Sequence, residues 1–278
     1  MPSLAEGRSC RLLDLSLQVF STPEIAARRL VAARRPDRGV AAFTCNVDHV
    51  MLTRSDRTFR EAYGRADVVT MDGAPVALLS RWTGAAGAVR VTGVDIVEAL
   101  GGVGAEQGLR LGIVGGVPGR AQRAGLALQS ANPGLPDVLA RTPSAGFEIG
   151  GDEDEALVRD LAAQGLDVVV VCLGAPKQEL WIDRHRDEIP GAVLIGAGAT
   201  VDYLAGAIRR APAAFQKTGT EAFWRLSTEF PRLWRRYLVR DSAFILLFAA
   251  VLARHHARFG TPLPTPRRPH DENTEAAP

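Results

Sequence analysis

Five short apolar runs, at positions 40–44, 66–71, 109–114, 166–173 and 192–195, recur along the chain. They are rich in Val, Ile, Leu and Ala, are bounded by Gly, Asp or Pro, and lack the polar residue at every second position that a half-solvated strand would show. They read as strands buried on both faces. Between them, positions 48–65, 74–82, 95–106, 120–130, 154–164 and 178–186 carry apolar residues at helical spacing. Strands alternating with helices predict an α/β fold, a Rossmann-like parallel sheet with helices on both faces. Ligands of such sheets bind beyond the carboxyl ends of the strands, so chemistry is expected in the residues just past each run.

Those residues are polar and glycine-rich. Thr44-Cys45-Asn46-Val47-Asp48 follows the first strand, Asp72-Gly73 the second, Gly115-Gly116-Val117-Pro118-Gly119 the third and Gly174-Ala175-Pro176-Lys177-Gln178-Glu179 the fourth. After the fifth, GAGATVDYLAGAIRRAP sets Asp202 between two glycine turns and runs into Arg209 and Arg210, an order suited to an anionic substrate. Carboxylates, amides, a lysine and exposed N–H groups at glycine turns and helix starts are what a nucleoside diphosphate needs. Plainer readings stand beside each loop. Asp202 also fits a capped strand-to-helix turn, Asp72-Gly73 a simple turn pair, and Asn46 and Asp48 helix caps. Gly115 and Gly116 lack the GxGxxG spacing of a dinucleotide fingerprint but are expected to cradle a substrate phosphate, and the acidic run 152–155 suits a helix start.

Composition narrows the class. With 278 residues and 46% hydrophobic content, the chain can bury one large core plus an appendage. Cys10, Cys45 and Cys172 are too scattered for a disulfide scaffold or a four-ligand zinc site and suit a reducing, cytoplasmic compartment. His49, His185, His255, His256 and His270 show no metal-ligand spacing, so neither metal nor cofactor is expected. No secretory leader and no apolar run of about 18 residues is found, so the protein is expected to be neither exported nor membrane-spanning.

The net charge of +2 hides an asymmetry. Positions 209–258 hold ten basic residues against three acidic ones, whereas the preceding part is slightly acidic. Pro231 fits a helix start, after which Arg232, Arg235, Arg236 and Arg240 fall on one face, and the apolar run 242–253 is too short to span a bilayer but can sink into its surface. The expected organisation is an α/β catalytic core at 1–208, a basic amphipathic helical appendage at 209–260 that docks on anionic membrane, and a disordered tail at 261–278. No nucleic-acid partner is expected. The apolar helix is also a surface that a second protomer could bury.

In chain order, TCNVD (44–48), MDG (71–73), RVTGVD (90–95), IVGGVPG (113–119), LGAPKQELW (173–181), the Asp202 segment and RRAP (209–212) resemble the WecG/TagA/CpsF glycosyltransferases, glycosyltransferase family 26, from about residue 43 to 237. The resemblance implies inverting, metal-independent transfer of an N-acetylmannosamine-type sugar, uronic acid or hexose. The donor would be a UDP-sugar and the acceptor a saccharide on undecaprenyl diphosphate, at the inner face of the cell membrane. It makes Asp72 the base, with Asp202 as second choice, and gives Thr44 and Asn46 the orientation of substrate hydroxyls. Lys177 and Gln178 would contact the donor, Arg90 the leaving diphosphate, and Arg225 and Arg232 the lipid diphosphate. Ala222 stands where the family usually has Trp. A nicotinamide-dependent oxidoreductase and a non-catalytic membrane-associated scaffold remain open beside this reading.

Overall fold

The computed structural model describes residues 9–83, 85, 88–212, 215, 224 and 243–259. The chain opens with an antiparallel hairpin, β1 (Ser9–Leu12) and β2 (Leu15–Gln18), followed by α1 (Pro23–Ala32). The main sheet contains β3 (Val40–Cys45), β4 (Val68–Met71), β5 (Leu111–Gly115), β6 (Leu139–Arg141), β7 (Val168–Cys172) and β8 (Val193–Gly196). All neighbours are parallel and the order is β4-β3-β8-β7-β5-β6. The five expected strands therefore form one sheet. The hairpin and β6 add to that expectation: β6 has only three half-buried residues, and each hairpin strand only four.

The helices are α2 (Val47–Ser55), α3 (Arg57–Arg65), α4 (Ala74–Trp82), α5 (Gly93–Gln107), α6 (Arg120–Ala131), α7 (Asp152–Ala163), α8 (Lys177–His185), α9 (Thr200–Leu204) and α10 (Ala243–Phe259). The single helix expected at 48–65 is two. Asp56 adopts an extended conformation, ends α2, and caps α3 by accepting from Phe59 N–H at 3.0 Å.

Alternate strand residues feed two cores, as a doubly covered parallel sheet requires. Ala41, Phe43, Val169 and Val171 face the core that includes residues of α2, α3, α4, α7 and α8. Val40, Ala42, Val168 and Val170 face the core under α1, α5 and α6. The hairpin packs beside β4, where Gln18 Oε1 accepts the N–H of Val69 at 2.6 Å and covers part of that edge. Helix α10 lies against the first of these cores: Phe244 is buried and the Phe248 ring meets Trp82 at 5.4 Å. Its Leu246 stays 75% exposed. No helix among the described residues is long and apolar enough to cross a membrane. The expected helix start at Pro231, the expected roles of Arg225 and Arg232, and the tail at 261–278 lie outside the described residues.

Candidate active site

The carboxyl ends of β3, β4, β5, β7 and β8 lie along one edge of the sheet, and the loops leaving them enclose a cleft of about 270 Å³. Its walls include Thr44, Asn46, Asp72, Gly116, Gln178 and Asp202, each from a different loop except the first two. A smaller hollow of about 70 Å³ adjoins it, lined by Asp72, Thr92, Tyr203 and Arg210 among others. Asp72, Ala197 and Ala199 belong to both.

Local bonding explains how each group is held. Asp72 follows β4, its own N–H donates to the Cys45 carbonyl at 2.7 Å, and its Oδ2 accepts from Gly93 N–H at 3.4 Å. The carboxylate thus faces the start of α5, a helix whose capping box is built by Thr92 and Asp95. Asn46 caps α2, accepting from His49 N–H at 3.2 Å, and lines the cleft as well. Thr44 Oγ1 donates to the Gly196 carbonyl at 2.9 Å, which ties the ends of β3 and β8 and leaves its oxygen only acceptor capacity toward a ligand. Asp202 accepts from Arg120 at 2.5 Å.

Gly115 shapes the floor. Its φ is +117°, and a Cβ there would stand 2.3 Å from the Cys172 carbonyl oxygen, so only glycine lets β5 and β7 end this close together. Gly116, also at positive φ, then turns into the cleft.

Other candidates lie elsewhere. Lys177 donates to the Phe147 carbonyl and sits 5.0 Å over the Phe147 ring, outside the residues lining either cavity. Arg90 precedes Val91, whose N–H bonds the Met71 carbonyl at 2.9 Å, and it too lines neither cavity. Arg210 pairs with Asp95 and Glu98 at the rim of the smaller hollow.

Four further residues build or back the site although nothing in the sequence assigns them a role there: His49 lines the cleft, Tyr203 the smaller hollow, Arg120 pairs with Asp202, and Glu179 is sealed behind the wall. Behind the cleft wall, His49 Nδ1 lies 2.6 Å from the Tyr63 hydroxyl, and its Nε2 lies 3.8 Å from Glu179 Oε1. Glu179 is fully buried, and that burial pushes its carboxyl up to about 7, with the like charge of Asp48 adding to the rise. Burial likewise pushes the thiols of Cys45 and Cys172 up to about 12. Among the described residues no group of three or more His, Cys, Asp or Glu side chains gathers as a metal site would require.

Comparison with known proteins agrees with the resemblance. The profile of the family described as "Glycosyl transferase WecG/TagA/CpsF family" matches residues 10–258. A Bacillus subtilis protein named N-acetylglucosaminyldiphosphoundecaprenol N-acetyl-beta-D-mannosaminyltransferase is 27% identical over 233 residues, covering 84% of this chain and 86% of that protein.

Proposed function

Because this chain belongs to the WecG/TagA/CpsF family of glycosyl transferases, we propose that it moves a sugar from a UDP-sugar in the larger cleft to a saccharide on undecaprenyl diphosphate at the smaller hollow. Membership sets aside the oxidoreductase and scaffold alternatives: the protein is a glycosyltransferase. The observation that carries the finer reading is that the Asp72 carboxylate is shared by both cavities. A base at that junction can take the proton of an acceptor hydroxyl as its oxygen bonds to the anomeric carbon. On the opposite side, the bond from that carbon to the diphosphate oxygen breaks and UDP departs with the electron pair, inverting the centre.

The diphosphate is best accommodated near Gly116 and the start of α6, where Arg120 pairs with Asp202 of the cleft wall. This arrangement favours a metal-free mechanism and makes Asp202 the partner of Arg120, with Asp72 the base. Gln178 and Asn46 would orient sugar hydroxyls, with Thr44 accepting from one. Lys177, turned toward Phe147, would act on the donor only through the loop it braces. The acceptor relation in the name of the Bacillus subtilis relative supports a lipid-linked acceptor, and N-acetylmannosamine is the first donor to test. We assign the exposed Leu246 side of α10, together with the exposed Arg254 of the same helix, to the anionic inner face of the cell membrane.

The test is incubation with a panel of UDP-sugars and a short-chain lipid diphosphate acceptor, read as UDP release. Asp72→Asn should lose roughly 10²- to 10⁴-fold in turnover and keep its UDP affinity. Wild-type turnover retained by that variant, or no UDP release from any donor, would overturn the reading.

A further inference from the structure

One ionisable group beside the site is left unused by the mechanism above. Glu179, 0% exposed, accepts from Gln178 Nε2 through Oε1 at 2.6 Å, while its Oε2 has no hydrogen-bond partner among the described residues. The Gln178 carboxamide is held at both ends, because its own Oε1 accepts from Gly198 N–H at 3.0 Å. Gly198 is the centre of the turn that carries Ala197 and Ala199, the two residues that with Asp72 border both cavities. A Cβ on Gly196 would lie 3.2 Å from both Gln178 Nε2 and Glu179 Oε1, so the backbone of β8 closes tightly over the pair. The line of contact runs from a sealed carboxyl, through one amide, to the wall between donor and acceptor.

We propose that Glu179 is a positioning residue for transfer: through the Gln178 carboxamide its carboxyl sets the Ala197–Ala199 turn, and gain or loss of its proton changes how firmly that turn is held. A glutamine at 179 could brace the amide as a passive support, but only a carboxyl can strengthen the bond by ionising, since a charged acceptor takes an N–H more strongly than a neutral one. The ionisable groups that face it are Asp48 and His49 from α2, Tyr63 from α3 and Cys45 from β3, with Asp72 beyond Cys45. Burial raises the carboxyl into the neutral range, where its charge can change under working conditions.

The turnover part of the test rests on the transferase reading; the spectroscopic part does not. In Glu179→Gln, kcat should fall about tenfold, the scale expected when a reacting group is held less accurately, while UDP affinity stays within about threefold of wild type, the same misplacement being felt less in ground-state binding. The rise of wild-type kcat through an ionisation near 7 should vanish from the variant's pH profile. A variant profile that keeps this ionisation would overturn the proposal. Should the variant fold poorly, the wild type decides: the side-chain amide resonance of Gln178 should titrate across the neutral range, and a resonance that does not move refutes the link. Absence of any turnover in the wild type would strike the transferase reading and leave the amide titration to decide this one.

Discussion

Asp154 offers a sharp test of how α8 is fastened at the end away from the cleft. The side chain is fully buried and accepts three bonds: from Trp181 Nε1 at 2.6 Å on Oδ1, and from Gly150 N–H at 2.6 Å and His185 Nε2 at 2.9 Å on Oδ2. In Asp154→Asn the amide presents one oxygen and one NH₂. With the oxygen toward Trp181, the NH₂ meets Gly150 N–H; with the oxygen toward Gly150, Trp181 loses its acceptor. His185 can adapt by changing tautomer, because its Nδ1 lies 2.7 Å from Glu188 and can donate there. One buried donor is therefore stranded either way, at about 1–3 kcal/mol, and the surviving bonds lose the charged acceptor. The expected loss is about 3 kcal/mol for Asp154→Asn and about 4 for Asp154→Ala, which strands both the Trp181 and Gly150 donors and leaves His185 Nε2 without its partner. Trp181→Phe removes a single donor and should cost about 1.5 kcal/mol beyond its small change in packing. At roughly 2–4 °C per kcal/mol, the melting temperature should drop by about 6–12 °C for the asparagine variant. Differential scanning fluorimetry and urea unfolding at fixed pH would measure the series. If Asp154→Asn and Asp154→Ala are equal and both lie within 1 kcal/mol of wild type, the account of this anchor is wrong.

Three further outcomes are expected. Gly115→Ala should destabilise by roughly 3 kcal/mol, from positive-φ strain and a clash with backbone, and should weaken UDP binding because the displaced Cys172 and Gly116 line the cleft. Gly119→Ala, with open space around its Cβ, should cost only about 1 kcal/mol; calorimetric titration and urea melts that fail to separate the two would count against the close approach of β5 and β7. For Glu179, the folded chain keeps a proton that the unfolded chain releases near 4.5, so this group lowers stability as pH rises from about 4.5 to about 7 and adds nothing further above that. The span corresponds to roughly 3 kcal/mol, and Glu179→Gln should gain that much relative to wild type between the two ends of the window; parallel stability curves would contradict the raised carboxyl. Half-buried Cys10 should be the first cysteine alkylated by iodoacetamide, with Cys45 and Cys172 protected until unfolding, as peptide mass spectrometry would reveal.

Five of the six strands are legible in the sequence because their residues are mostly sealed within the sheet and spell out unbroken apolar runs, as in Val168–Cys172, whereas β6, three half-buried residues ending in Arg141, leaves no such run. The hairpin leaves little trace in the sequence: Leu15 and Leu17 are buried on either side of exposed Ser16, but an alternation of four residues is no longer than chance supplies in a loop. The break at Asp56 is hidden because a polar residue on a solvated face looks the same in sequence as one that ends one helix and caps the next. Asp72, Gln178 and Asp202 are legible as residues of the cleft because they lie in the segments that follow strands of a parallel sheet, which the topology brings to one edge. Lys177 shares that position, yet Phe147, brought alongside from thirty residues earlier, draws its ammonium away. In sequence Glu179 is one more loop carboxylate and His49 a histidine without metal-ligand spacing; the burial that gives them their chemical character comes from α2, α3 and β8 closing over them and leaves no local pattern.

The pairing of β3 with β8 has a bearing on synthesis. These strands are the first and last of the sheet along the chain, they meet in register from Val40 with Val193 to Phe43 with Gly196, and Thr44 is joined to Gly196 across 152 positions. A nascent polypeptide emerging from the ribosome can assemble β3 and β4 early, but it holds no competent catalyst until the segment near residue 200 has been translated. Fragments ending before that point should lack transfer, and separately expressed halves should regain it only by docking along the β3–β8 seam.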